Sequence, residues 1–341
     1  MPSLHRRTLH RRTLHRRTLL AGIGAALAAP ALPARAAEIR IAHAMGETVL
    51  PAPAARVVSL GFTTHDTVLA LGVQPLAVRY WYGEAPGAIW PWAQPLIEGP
   101  APEVLTGEVS AERVAALAPD LIVGIGSGIS RAEYDLLSQI APVLMQPEGQ
   151  PAYGLPWAGA TRLIGHALGR EDRAEALIGE THAAIAEMRA RHPGWIGRSA
   201  AAAYHFGGDT GAFTARDNRT RLLTDLGFVL PPQIEALAAP EGFYAPLSPE
   251  DLSPLDADLL LWIAGQENLA DIAALPMRRV LAAHREGREA LAAGDLAAAL
   301  SFASVLSIPY ALERLEPELA AALDGDPATL PPAAEAAGLT A

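Results

Sequence analysis

Several residue groups in this chain carry side chains that could do chemistry. Gly124-Ile125-Gly126-Ser127-Gly128 puts a hydroxyl in a glycine-rich turn after an apolar run. As a phosphate cradle its third glycine comes too early for G-x-G-x-x-G. As a nucleophile elbow around Ser127 it has Ile125 where G-x-S-x-G requires glycine. His65 with Asp66, and His205 with Asp209, could be drawn as acid/base pairs, but closeness in sequence does not by itself build a proton relay. The histidines beyond residue 36 lack the paired spacing of metal sites, and the chain has no cysteine. The catalytic reading, an exported α/β hydrolase, is therefore the weaker one, and non-covalent recognition is the stronger.

Recognition is where the aromatic residues concentrate. Tyr80-Trp81-Tyr82 and Trp90-Pro91-Trp92 fall in one inter-strand region and Gly242-Phe243-Tyr244 in another. Such side chains supply flat apolar walls for a ligand, although a core of this size also needs some of the 19 Phe, Trp and Tyr residues (6 + 6 + 7).

The elements that must position these loops are announced by a repeat. Val109-Ser110-Ala111-Glu112 through Asp120-Leu121-Ile122-Val123 returns without gaps as Leu247-Ser248-Pro249-Glu250 through Asp258-Leu259-Leu260-Leu261, at a constant offset of 138 residues (248 − 110). Each copy reads as a serine N-cap, an acidic residue in the first turn, a short amphipathic helix and an Asp that opens an apolar strand. Strands alternate with helices on either side, so the expected fold is α/β: two parallel-sheet, Rossmann-like lobes with a ligand cleft between them. From Trp157 to residue 192, apolar residues recur at helical spacing with a soft spot at Gly169, which predicts one long bridging α-helix. The expected division is residues 37–156 for the first lobe, 157–192 for the bridge, 193–325 for the second lobe and 326–341 for a flexible tail. In sheets of this kind ligands sit beyond the carboxyl ends of the strands.

Residues 1–36 read as an export signal. Leu-His-Arg-Arg-Thr occurs three times in tandem, an apolar run from Leu19 to Ala29 follows, and Ala34-Arg35-Ala36 supplies a small-residue cleavage site. Arg16-Arg17-Thr18-Leu19-Leu20 resembles a twin-arginine signal. Pro30 and Pro33 end the apolar run short of the roughly 20 residues a membrane span needs, so no stable membrane insertion is expected. Cleavage removes seven of the 26 basic residues and none of the 37 acidic ones, leaving a formal charge near −18 (19 − 37). A nucleic-acid partner is not expected at that charge. A signal with no cysteine to lipidate predicts a soluble periplasmic protein.

With these features assembled, the chain resembles the periplasmic substrate-binding proteins of ABC importers for iron-siderophores, haem and vitamin B12. The resemblance runs from about Arg56 to Leu323. It is carried by Arg56-Val57-Val58-Ser59-Leu60, Trp90-Pro91-Trp92, the first repeat copy, Leu137-Ser138-Gln139-Ile140-Ala141-Pro142, Arg162-Leu163-Ile164-Gly165, and Ala299-Leu300-Ser301-Phe302 with Ser307-Ile308-Pro309-Tyr310. The Trp-Pro-Trp loop and the Leu-Ser-Phe segment are most similar to the iron-siderophore branch. The resemblance implies a monomer that captures a ferric siderophore, holds no cofactor or direct metal ligand of its own, and delivers its cargo to a dimeric inner-membrane permease. It implies that Glu112 and Glu250, one per lobe, dock onto arginines of the two permease subunits. Candidate ligand contacts in loops or at strand ends are Trp81, Tyr82, Trp90, Ser127, Trp157, His205, Arg216, Phe243, Tyr244 and Phe302. Arg216 would face the negative charge of a chelate. Haem or cobalamin is the alternative ligand, with Tyr82 and His205 as candidate axial ligands for haem.

Overall fold

A computed structural model describes residues 38–240, 242–265 and 268–337; the expected export signal lies outside the described residues. A hairpin of β1 (Ile39–His43) and β2 (Gly46–Leu50) precedes the first α/β unit. That unit runs β3 (Val57–Ser59), α1 (Thr64–Ala70), β4 (Ala77–Arg79), β5 (Glu103–Leu105), α2 (Ala111–Ala116), β6 (Leu121–Val123), α3 (Arg131–Leu137) and β7 (Val143–Leu144). Its sheet is fully parallel in the order β5-β4-β3-β6-β7, so the strand order reverses between β3 and β6. Both β3 and β6 are buried along their whole length, as apolar strands covered on two faces must be.

The bridge is α4 (Trp157–Ala167) followed by α5 (Glu171–Arg191), two rods and not the single helix that the periodicity predicts. The break falls at Gly169, which adopts φ +61. That left-handed turn ends α4, while the apolar faces of the two helices stay in phase and disguise the joint.

The second unit contains β8 (Ala200–Phe206), β9 (Asp209–Phe213), α6 (Asn218–Asp225), α7 (Pro232–Leu237), β10 (Tyr244–Leu247), β11 (Leu259–Ala264), α8 (Leu269–Ala274), α9 (Ala282–Arg285), β12 (Glu289–Ala293), α10 (Asp295–Phe302), α11 (Ser307–Ala322) and α12 (Pro332–Ala336). Its sheet, in the order β10-β9-β8-β11-β12, is mixed and not parallel throughout. Gly207-Gly208 closes a tight hairpin between β8 and β9, and β10 adds antiparallel to β9. The expected tail, residues 326–341, is described as far as residue 337. Within it, α12 is seated by the Ala333 N–H, which donates to the buried Glu318 carboxylate at 2.8 Å, and Ala333 and Ala337 lie against the second lobe's core.

The repeat survives in its strands. Asp120 accepts the N–H groups of Ala55 and Arg56 at 3.0 and 2.8 Å, clamping the entry of β3 against β6. Asp258 accepts from the N–H and the hydroxyl of Ser199, both at 2.8 Å, at the entry of β8 against β11. The helices differ. Ser110 caps α2 through the Arg113 N–H at 3.3 Å. In the second copy Pro254, which matches the helical Ala116 of the first, withholds an N–H group, and only a single turn of 3-10 helix forms at Ser253–Leu255, so the expected second helix is absent.

The two lobes share core. Leu69, Val78, Trp90 and Trp92 from the first belong to one buried apolar cluster with Met188 of the bridge and Leu261, Phe302 and Ile308 of the second. A Cβ at Gly169 would lie 2.7 Å from the Pro53 ring and would force an L-residue into the left-handed region. Gly169→Ala should therefore destabilise the protein by about 1–3 kcal/mol, read as a lowered urea midpoint at unchanged slope. An unshifted midpoint would mean that the helix joint is not under this constraint.

Candidate functional site

The carboxyl ends of the first lobe's strands deliver one wall of a cavity of ≈ 350 Å³. After β3, Gly61 leaves no room for a side chain, since a Cβ would collide with the Ile125 carbonyl and Thr64. The chain turns tightly there, and Phe62, Thr63 and Thr64 enter the wall. Trp81 follows β4, Ile125 and Gly126 follow β6, and Tyr153 and Leu155 follow β7 before Trp157 opens α4. Phe62 packs against both Trp81 and Tyr153, with ring centroids 5.6 and 6.4 Å away and planes inclined by only 27° and 18°. The Arg79 guanidinium sits over the Phe62 ring, 4.7 Å from its centroid, and donates to the Ser127 carbonyl at 2.9 Å.

The opposing wall comes from the second lobe. Residues Arg216–Arg219, leading into α6, stand beside Phe243 and the α10–α11 turn at Ser301–Ser304. Asp217 caps α6 through the Arg219 N–H at 2.9 Å and pairs with the Arg219 guanidinium at 3.0 Å. Arg219 also donates to the Ser301 hydroxyl at 2.5 Å and lies 4.3 Å over the Phe213 ring. Ala303 takes left-handed geometry at φ 45, ψ 58, ending α10.

Beneath the cavity lies a buried polar cluster. Asp66 on α1 is wholly inaccessible, and its Oδ2 accepts from the Trp92 indole N–H at 2.7 Å and from the Ser304 hydroxyl at 2.6 Å. Its Oδ1 has no hydrogen-bond partner and stands 3.6 Å from Nε2 of His65, whose ring nitrogens are also unbonded. Burial pushes the Asp66 carboxyl up to about 7, against the opposing effect of the two hydrogen bonds. Burial pushes the His65 imidazole down to about 4.

Of the expected ligand contacts, Trp81, Trp157, Arg216, Phe243 and Phe302 line the cavity together. Tyr82 is exposed and packs edge-on against Trp81 at 4.7 Å, with its hydroxyl toward Ser301. Trp90 lies deeper, stacked on Trp92 at 5.6 Å. Ser127 spends its hydroxyl inside its own turn, donating to the Gly124 carbonyl at 2.6 Å. His205 pairs with the Thr210 hydroxyl at 2.8 Å across the β8–β9 hairpin, and Tyr244 is exposed on β10 against Tyr204. None of these five lines the cavity, and Tyr82 and His205 do not converge there as a haem-ligating pair would. Glu112 and Glu250 are both exposed. Among the described residues no group of three or more His, Asp or Glu could hold a metal. Sequence reasoning missed Phe62, Tyr153, Arg219 and Ser304. Phe62 and Tyr153 are lone aromatics among small polar residues, but Phe62 carried one usable signal, its place in the loop directly after an apolar strand.

The chain belongs to the periplasmic binding protein family, whose model matches residues 57–290. It is similar to a periplasmic solute binding protein from Mycobacterium smegmatis str. MC2 155, at 33% identity over 84% of this chain and 99% of that one, with a TM-score of 0.76. It is also similar to PiaA of Streptococcus pneumoniae TIGR4, solved in complex with ferrichrome, at 26% identity over 84% and 99% of the two chains, with a TM-score of 0.72. A putative ABC transporter substrate-binding lipoprotein of Bacillus subtilis (strain 168), YhfQ, is 26% identical over 194 residues, 56% of this chain; the match spans 58% of that relative's length. No helix among the described residues is long and apolar enough to cross a membrane.

Asp66→Asn would keep an acceptor for Trp92 and Ser304 while removing the ionisable group. The stabilising contribution of wild-type Asp66 is fully present below pH 3.8 and is lost as pH rises through about 7. His65 acts in the opposite sense, its contribution being present above pH 6.5 and lost as pH falls through about 4. Relative to the parent, the variant should therefore gain stability steadily from pH 4 to pH 7 in urea unfolding. A gap that stays constant with pH would mean that Asp66 titrates normally.

Proposed function

We propose that this chain is the substrate-binding component of an ABC importer, which captures a ferric siderophore in the periplasm and hands it to a permease in the inner membrane. The observation that carries this reading is the two-sided cavity. An aromatic wall from one lobe faces a wall of arginine, asparagine and serine side chains from the other. A ferric chelate arrives with its iron already coordinated, so it needs flat surfaces and donors around its periphery and not a protein ligand on the metal. PiaA, the ferrichrome-bound relative, supports the same assignment. Residues 1–36 would direct export, and one monomer would carry one chelate.

Delivery requires a face that two permease subunits can read. Glu112 lies in the first turn of α2 and is exposed. Glu250 occupies the matching sequence position of the second copy, ahead of the 3-10 turn, and is also exposed. An exposed carboxylate on each lobe suits bidentate pairing with an arginine on each of two subunits.

Two measurements test the reading. Ferric siderophores should quench the intrinsic tryptophan fluorescence saturably, whereas haem and cobalamin should not; saturable binding of haem or cobalamin alone would overturn the assignment. The double variant Glu112→Ala/Glu250→Ala should retain chelate affinity while uptake by cells falls to background, and normal uptake by that variant would remove these residues from docking.

A further inference from the structure

We infer that the ligand cavity continues past Trp157 into a second, aliphatic cavity, and that the two together take a ferric chelate carrying an aliphatic arm. The inference rests on the ferric-siderophore reading and deepens it.

The second cavity, of ≈ 210 Å³, is formed by residues of the bridge and of the second lobe. Trp157, Asn218 and Ala303 line it and also line the ligand cavity, so single side chains divide the two spaces. Trp157 stands at that division. It opens α4, packs against two of the buried apolar clusters and lies 4.8 Å from the His182 ring on α5.

Beyond Trp157 the floor is aliphatic. Leu222 of α6, Ala299 and Leu300 of α10, and Ile308 and Ala311 of α11 supply it, and all five are buried. Where α10 meets α6 and α11, the alanines at 299, 303 and 311 have no long side chains to fill the gap, and this leaves the space open. Apart from Asn218, the polar lining side chains are His182, Arg221 and Asp225, and of these His182 and Asp225 are exposed, which sets them at the rim.

The lining decides the occupant. Confined water finds few hydrogen-bond partners over such a floor, and a dry aliphatic cavity of about 150 Å³ is large enough to take benzene. The oxygen-rich shell of an iron centre would lose hydrogen bonds there, so the metal end belongs in the first cavity. A methylene chain loses none, and each CH2 withdrawn from water is favourable. With the iron end held in the first cavity, entry of the arm into the second is intramolecular and needs little affinity of its own.

The test compares two ferric complexes that differ only in the arm, those of N-acetyl and N-hexanoyl desferrioxamine B, each titrated against the mature chain by tryptophan fluorescence. The hexanoyl complex should bind roughly tenfold tighter, since four further methylenes are buried against the cost of ordering them. Ala158→Leu, at a partly exposed position that lines the second cavity and not the first, should erase that advantage and leave the acetyl complex unchanged. Ala311→Leu, which fills the floor from a fully buried position, should do the same. Equal affinity for the two complexes, or an advantage that survives in both variants, overturns the second cavity's role and leaves the ferric-siderophore reading standing. Binding of neither complex also overturns it, and if haem or cobalamin binds in their place the siderophore reading falls as well.

Discussion

The Asp66 carboxyl group holds three separate stretches of chain in register. It lies on α1, takes the indole N–H of Trp92 from the loop that follows β4, and takes the hydroxyl of Ser304 from the turn between α10 and α11. At zero exposure it is removed from bulk water, so an ionised form would be offset by those two hydrogen bonds alone. A buried carboxyl that keeps its proton resolves the conflict, and this is the sense in which its burial moves it. The same elements form the wall above: Thr63, Thr64 and Thr67 precede or belong to α1, and Ser304 lines the cavity itself. Lobe registration and ligand contact are therefore set by one short stretch of helix, and a shift of either lobe must displace both.

Around that link the aromatic residues divide by depth. Trp90 and Trp92 lie parallel, with centroids 5.6 Å and planes only 2° apart, and Phe302 and Tyr310 close around Trp92 at 5.3 Å each. This group belongs to the apolar cluster that runs continuously from one lobe to the other. Trp81, Phe62 and Tyr153 form an outer layer toward the cavity. Phe302 serves both layers, touching Trp81, Trp90 and Trp92 while lining the cavity. These stacked rings behind the site limit how far the lobes can part without breaking a core.

Much of this is legible in the sequence, for identifiable physical reasons. β6 and β11 are buried on both faces, so they read as unbroken apolar runs, and the acidic residue opening each marks where it begins. The two-lobe plan follows from the repeat. The bridge is legible as helix but not as two helices, because Gly169 interrupts the backbone without interrupting the apolar stripe. The second sheet reads as parallel because Gly207-Gly208 has the composition of a loop as much as that of a hairpin turn. The site is half legible. Trp81, Phe243 and Phe302 stand out by clustering or motif, whereas Arg219 is concealed in an ordinary run of mixed charge and Asp66 looks like a helix cap. The partner that gives Asp66 its meaning is 238 residues away (304 − 66), a separation that no local pattern spans.

The two copies of the repeated segment have aged differently. Both have an aspartate that ties down amides at the start of the neighbouring central strand, whereas only the first forms an α-helix. A strand entry sits at the centre of a sheet, where a slip of one residue turns every side chain to the wrong face. A surface helix carries no such global obligation. What two halves of one molecule still have in common thus measures tolerance directly: the chain can dispense with a helix on its surface, but in both halves it has kept the anchor that sets the sheet's register.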